Sequence, residues 1–127
     1  MNKRDRTCRP WSSGLYDLRV LTSADRDVNE MIEVLGVLAD PVRAQIVQVL
    51  ALGPACVCHL VKDLNLKQPN VSNHIRVLRQ AKLIRGENRG KFTFYHLKTD
   101  ALAAAATYLT QLAADARTHA SAYRQCP

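Results

Sequence analysis

Hydrophobic positions recur with a helical period along most of this 127-residue chain. From Asn29 onward, Met31, Leu35 and Leu38 repeat at i, i+4 and i+7, which predicts a helix to near Ala39 with these three turned inward. Asp40-Pro41 then supplies an N-cap acceptor and a proline at the first helical position, where the missing N–H costs nothing. The second predicted helix buries Val42, Ile46, Val47 and Leu50 and stops at Gly53-Pro54. A third, short helix runs from Val57 to Leu64 with Leu60, Val61 and Leu64 inward, and Asn65-Leu66-Lys67 leads tightly into a fourth beginning at Gln68-Pro69. Helix, short turn, helix is the organisation of a helix-turn-helix.

The fourth helix keeps Val71, Ile75 and Leu78 on one stripe, and at about 100° per residue Ser72, Asn73, Arg76 and Gln80 fall on the opposite face. His74 lies near the buried stripe, which favours a hydrogen-bonded supporting role over a base contact. After Ala81 the period changes to two. Leu83-Ile84 precede a polar stretch from Arg85 to Lys91 bracketed by Gly86 and Gly90, and Phe92 and Phe94 alternate beyond it, so a β-hairpin is predicted with Arg89 and Lys91 at its tip. The alanine-rich run from Asp100 to about Arg124 sets Leu102, Ala106, Leu109, Ala113, Ala116 and Ala120 at near-heptad spacing. So long a helix cannot bury its stripe against so small a domain, which points to a homodimer formed through the terminal helices.

Residues 1–27 differ from the rest. They show no sustained period, apart from a weak helical spacing of Leu15, Leu18 and Leu21, and Lys3, Arg4, Arg6 and Arg9 keep the start solvated, so they are read as a flexible basic arm before a domain spanning 28–127. The fold class is mainly α with a small β-hairpin. No apolar run approaches the roughly 18 residues of a membrane span, and the basic start lacks the apolar stretch of a secretory signal, so a cytoplasmic protein without membrane contact is expected.

Charge narrows the function. The net charge is +7, and Lys67 to Lys98 holds eight basic residues against one acidic residue, Glu87, so this segment alone accounts for all of it. A basic helix face is often only a solvated face, but here it follows a tight turn and precedes a basic hairpin. That order points to double-stranded DNA. In a helix-turn-helix the second helix enters the major groove with its N-terminal residues on base edges. Gln68 and Asn73 suit adenine, Arg76 suits guanine, Ser72 suits either, and Arg89 and Lys91 suit the backbone or minor groove.

Four cysteines, Cys8, Cys56, Cys58 and Cys126, would suggest two disulfides in a secreted miniprotein, but a cytosolic chain with a conventional core does not need them, which shifts weight to metal binding or redox chemistry. Thiolates select soft ions such as Zn(II), Cd(II), Pb(II), Cu(I) or As(III), and a helix N-terminus favours the thiolate form. Residues i and i+2 point about 200° apart on a helix, so Cys56 and Cys58 can grip one ion only if the first turn opens or the pair lies just outside it. The plainer alternatives are small core-lining residues or a redox pair. No phosphate loop, nucleophile elbow, C-x-x-C or zinc-hydrolase motif is present, so an enzyme such as a thiol oxidoreductase is not expected.

Leu38-Ala39-Asp40-Pro41-Val42-Arg43 and Gln68-Pro69-Asn70-Val71-Ser72-Asn73-His74-Ile75-Arg76-Val77-Leu78 resemble the two signature segments of the ArsR/SmtB family of metal-responsive repressors, in the right order, over about residues 29 to 112. Asn73 stands where that family often has histidine. The resemblance implies a winged helix-turn-helix homodimer that holds double-stranded operator DNA until an inducer binds. Cys56-Val57-Cys58 sits where the family carries its C-V-C pair, which implies derepression by Cd(II), Pb(II), Zn(II) or As(III). The cadmium- and lead-sensing (CadC-type) branch adds an N-terminal cysteine, for which Cys8 is the counterpart. Cys126 and His59 are candidate fourth ligands, and His59 replaces an aspartate common at its position. The family's second site type, on the last helix, is not expected in this alanine-rich stretch, where Asp115 and His119 read as surface residues. A rival switch by thiol oxidation or persulfide formation at Cys56, Cys58 or Cys8 keeps the DNA reading.

Overall fold

The computed structural model describes residues 23–127. Cys8 and the weak helix around Leu15 lie outside the described residues. The elements follow in the order α1 (Ser23–Leu38), α2 (Pro41–Ala51), β1 (Ala55–Cys56), α3 (Val57–Leu64), α4 (Gln68–Gln80), β2 (Ile84–Arg89), β3 (Phe92–Leu97) and α5 (Thr99–Thr118). α1 starts at Ser23, ahead of Asn29 and inside the span read as an arm; Arg26 and Asp27 are exposed, so no apolar repeat marks that turn.

The buried face of α1 also differs from the expected one. Val34 is the buried residue, Met31, Val37 and Leu38 pack beside it, and Leu35 is 40% exposed along with Ile32. α1 carries apolar side chains on more than one side, and a stripe count cannot tell which side meets the core. α2 begins as its Asp-Pro start requires: Asp40 Oδ1 accepts the N–H groups of Val42 and Arg43 at 2.8 and 3.1 Å. The Arg43 N–H foremost holds the Asp40 carboxyl below the usual carboxylate range, so the cap stays ionised as the solution is acidified. Arg43 in turn donates from Nε to the Val37 carbonyl at 2.6 Å, while its guanidinium lies 3.5 Å from His74 Nδ1. His74 is thus half-buried and partnered, in line with a supporting role.

Ile46, Leu60, Val71, Leu78 and Leu83 are fully buried, so the centre of the core lies beneath α2, α3 and α4. Truncating Ile46 or any of these leucines to alanine costs about 2–5 kcal/mol in cores of this kind. Both helices of the helix-turn-helix end in a residue of left-handed conformation, Asn65 at φ 55° and Lys82 at φ 61°. After α4 the Leu83 N–H bonds the Leu78 carbonyl and the Lys82 N–H bonds that of Arg79, a Schellman ending sealed by the contact of two buried leucines.

The three-stranded antiparallel sheet has the order β1-β3-β2. The hairpin turns at Gly90-Lys91, where Gly90 has φ +62°, the requirement of a primed two-residue turn. Gly86 does not bracket the tip. It is inside β2 opposite Tyr95, and a Cβ there would lie 3.2 Å from Thr93 Cγ2, so the glycine answers a close cross-strand approach. Strand β1 has no periodic signal in so short a segment and was not expected. α5 ends at Thr118, short of Arg124, and Tyr123 beyond it is exposed. Its Ala105 reaches the core, and α5 packs along α1.

Candidate nucleic-acid interface and thiolate site

α4 is anchored by Val71, Ile75 and Leu78, which leaves Gln68, Ser72, Asn73 and Arg76 together on its exposed face. Arg76 donates to Asn73 Oδ1 at 2.6 Å, so the two side chains form one unit on that surface. Ser72, Ile75, Arg76, Arg79, Gln80 and Tyr95 line a hollow of about 430 Å³ between α4 and β3. There the Arg79 guanidinium lies 6.0 Å from the centre of the Tyr95 ring, within cation–π range. Arg79 and Tyr95 escaped sequence reasoning, because the helix wheel does not say which strand residue the helix flank will meet.

The hairpin brings Arg89 and Lys91 to an exposed tip. Arg89 is not an isolated cation: its Nε donates to Glu87 Oε1 at 2.6 Å, and Arg85 and His96 stand 4.0 and 3.7 Å from the other carboxylate oxygen. Alternation along β2 puts Arg85, Glu87 and Arg89 on one face, and pairing sets His96 opposite Arg85. The hydrogen bond from Arg89, above all, holds the Glu87 carboxyl below its ordinary range.

The cysteine pair straddles the start of α3. Cys56 is the N-cap of α3, with extended backbone at φ −90° and ψ 169°, and belongs to β1, while Cys58 is inside the first turn of α3. Their sulfurs are joined as a disulfide, with Cα atoms 5.4 Å apart. His59 folds back over the same helix end: the Cys56 N–H donates to His59 Nδ1 at 3.2 Å, and Cys56 Sγ lies 3.1 Å from that nitrogen. The ligand atoms of Cys56, Cys58 and His59 lie within 4.8 Å of one another, with Cys56 buried and the other two exposed. Cys126 is not in this group, and Asp115 and His119 lie exposed on and just after α5.

In its reduced form this donor set suits a soft or borderline ion and offers nothing to a hard cation that wants oxygen. The surroundings matter as much. Cys56 pairs with Phe94 of β3, and the His59 ring lies 6.0 Å from the Phe94 ring. The sulfurs therefore sit where the first helix of the helix-turn-helix joins the sheet that carries the hairpin.

A helix-turn-helix followed by a hairpin wing defines the class, a winged helix-turn-helix regulator. Residues 40–85 match the family model described as "Bacterial regulatory protein, arsR family". The chain is 32% identical over 69 residues to the uncharacterized HTH-type transcriptional regulator MJ1325 of Methanocaldococcus jannaschii, covering 54% of this chain and 78% of that relative. It is 39% identical over 67 residues to the arsenical resistance operon repressor of Escherichia coli, covering 52% of this chain and 57% of the relative. Among solved structures, the homodimeric winged helix-turn-helix DNA-binding domain of Mb0332 from Mycobacterium bovis, a possible ArsR-family regulator, shares the fold, with a TM-score of 0.58 and 19% identity over 84% of this chain and 98% of that one. The chain belongs to the ArsR family of bacterial transcriptional regulators. No single helix among the described residues is long and apolar enough to cross a membrane.

Proposed function

We propose that the protein is a homodimeric cytoplasmic repressor that binds double-stranded operator DNA and releases it when the thiolates of Cys56 and Cys58 capture a soft ion, Cd(II), Pb(II), Zn(II) or As(III). One observation carries this reading: Cys56 is at once the cap of α3 and a sheet partner of the wing strand. An ion held by both sulfurs must fix the spacing of a residue in the sheet and a residue in the helix. That spacing bears on how α4 and the wing are presented together to the duplex. If the ion prefers the arrangement that binds DNA poorly, linkage lowers DNA affinity by the same factor, typically 5- to 150-fold. Gln68, Ser72, Asn73 and Arg76 would read bases, while Arg89 and Lys91 would hold phosphates. A third donor is needed, and the family resemblance offers Cys8.

Fluorescence anisotropy of the reduced protein on DNA from its own promoter, titrated with each ion, tests the reading. Release by one ion in the wild type, and none in Cys56→Ser/Cys58→Ser, is the expected outcome. Tight binding that no ion disturbs would sink it.

The disulfide between Cys56 and Cys58 supports a second reading, in which the switch is oxidation. Two thiols would give two electrons and two protons to a peroxide, which leaves as water while the S–S bond forms. In that case dithiothreitol restores DNA binding and a chelator does not.

A further inference from the structure

We propose that His59 Nδ1 is the third ligand of the thiolate site, so that each subunit by itself supplies a two-sulfur, one-nitrogen donor set that takes Zn(II) in preference to As(III). The inference rests on the metal reading above and replaces Cys8 as the third donor.

Geometry comes first. In a tetrahedral zinc site, with Zn–S about 2.3 Å and Zn–N about 2.0 Å, neighbouring sulfur and nitrogen ligand atoms stand about 3.5 Å apart. Cys56 Sγ and His59 Nδ1 are at 3.1 Å, and all three ligand atoms fit within 4.8 Å. The sulfur–nitrogen spacing is thus already near what the ion needs, while the two sulfurs, joined here as a disulfide, have to part on reduction to about 3.8 Å. The tautomer is also right: because Nδ1 accepts the Cys56 N–H, the ring proton is on Nε2 and Nδ1 presents a lone pair. A neutral imidazole with a bare nitrogen is the metal-binding form.

Ligand chemistry then selects the ion. Imidazole suits zinc and its first-row neighbours, whereas a thiophilic metalloid is held by sulfur and gains little from a ring nitrogen. The same lone pair also connects the site to the fold. Nδ1 can serve the Cys56 N–H or the ion, not both, so ion capture removes one of the few bonds that satisfy the start of α3. The ring that moves is the one beside Phe94 of the wing strand.

The test uses the reduced full-length protein, with Zn(II) affinity measured by chelator competition and As(III) affinity by its thiolate absorption. His59→Ala is expected to weaken Zn(II) roughly 100-fold, as loss of a ligand or its support does, and to change As(III) less than about threefold. Cys8→Ser is expected to leave Zn(II) binding within about threefold of wild type. Histidine-selective ¹⁵N spectra of the wild type should show a Zn(II)-induced shift at Nδ1 of His59, a readout that needs no variant to fold. Unchanged Zn(II) affinity in His59→Ala, a large loss in Cys8→Ser, or an unshifted Nδ1 overturns the assignment. Full Zn(II) and As(III) binding in Cys56→Ser/Cys58→Ser would instead overturn the metal reading on which it rests.

Discussion

Lys82 occupies the position after α4 that usually belongs to glycine. Its φ of 61° places a lysine in the left-handed region, and the Schellman bonds from Lys82 and Leu83 fix it there. A side chain in that region costs about 1–2 kcal/mol relative to glycine, part of which glycine returns through its freer unfolded chain. Lys82→Gly should therefore raise stability by about 0.5–1 kcal/mol in urea unfolding at unchanged m-value. A loss of stability would mean that the lysine makes a compensating contact. Asn65, at the equivalent place after α3, needs no such relief, since asparagine tolerates the left-handed region. These two residues close the helix-turn-helix helices at the lengths the leucines require. The sequence showed the breaks, but not that one of them falls on an unfavourable residue.

Among the elements, the wing is where charge and structure meet. A wing that grips phosphates should present its arginines freely, yet Glu87 holds Arg89 at 2.6 Å and lies near Arg85 and His96. If Arg89 holds a phosphate as proposed, the phosphate has to compete with this carboxylate, and Glu87 faces the polyanion. Glu87→Gln is expected to tighten operator binding about threefold at low salt, with a smaller gain at high salt, in anisotropy titrations. Weaker binding by the variant would show instead that Glu87 aims Arg89 at its phosphate. The hairpin was readable from its alternation and glycines, but the role of Gly86 was not. A glycine at a tip and a glycine under a tyrosine look alike in sequence, and only the pairing of Gly86 with Tyr95 separates them.

For the whole molecule, α1 and α5 pack on each other and keep Ile32, Leu35, Leu109 and Leu112 exposed. Two helices that are already paired and still show large apolar side chains fit the proposed dimer contact. Leu109→Glu/Leu112→Glu should leave the fold intact, since neither side chain is in the core, and yield a monomer in sedimentation. Its operator affinity should fall at least tenfold, because a dimer engages two half-sites at once. A dimer that survives both charges would place the contact elsewhere.

The sequence by itself determined the helices and their order. Helical spacing and the Asp40-Pro41 start are local signals, legible within a few turns of chain, and the basic stretch from Lys67 to Lys98 is a matter of residue type alone. It also determined the candidate chemistry, since C-x-C and a polar helix face are matters of residue type and spacing. Tertiary structure decided which of two apolar sides of α1 is buried, that Cys56 joins the wing sheet, and that His59 lies against the sulfurs. Those are contacts between elements. Their outcome depends on how the packed core sets one helix against a strand, and no periodicity within a single segment contains that information.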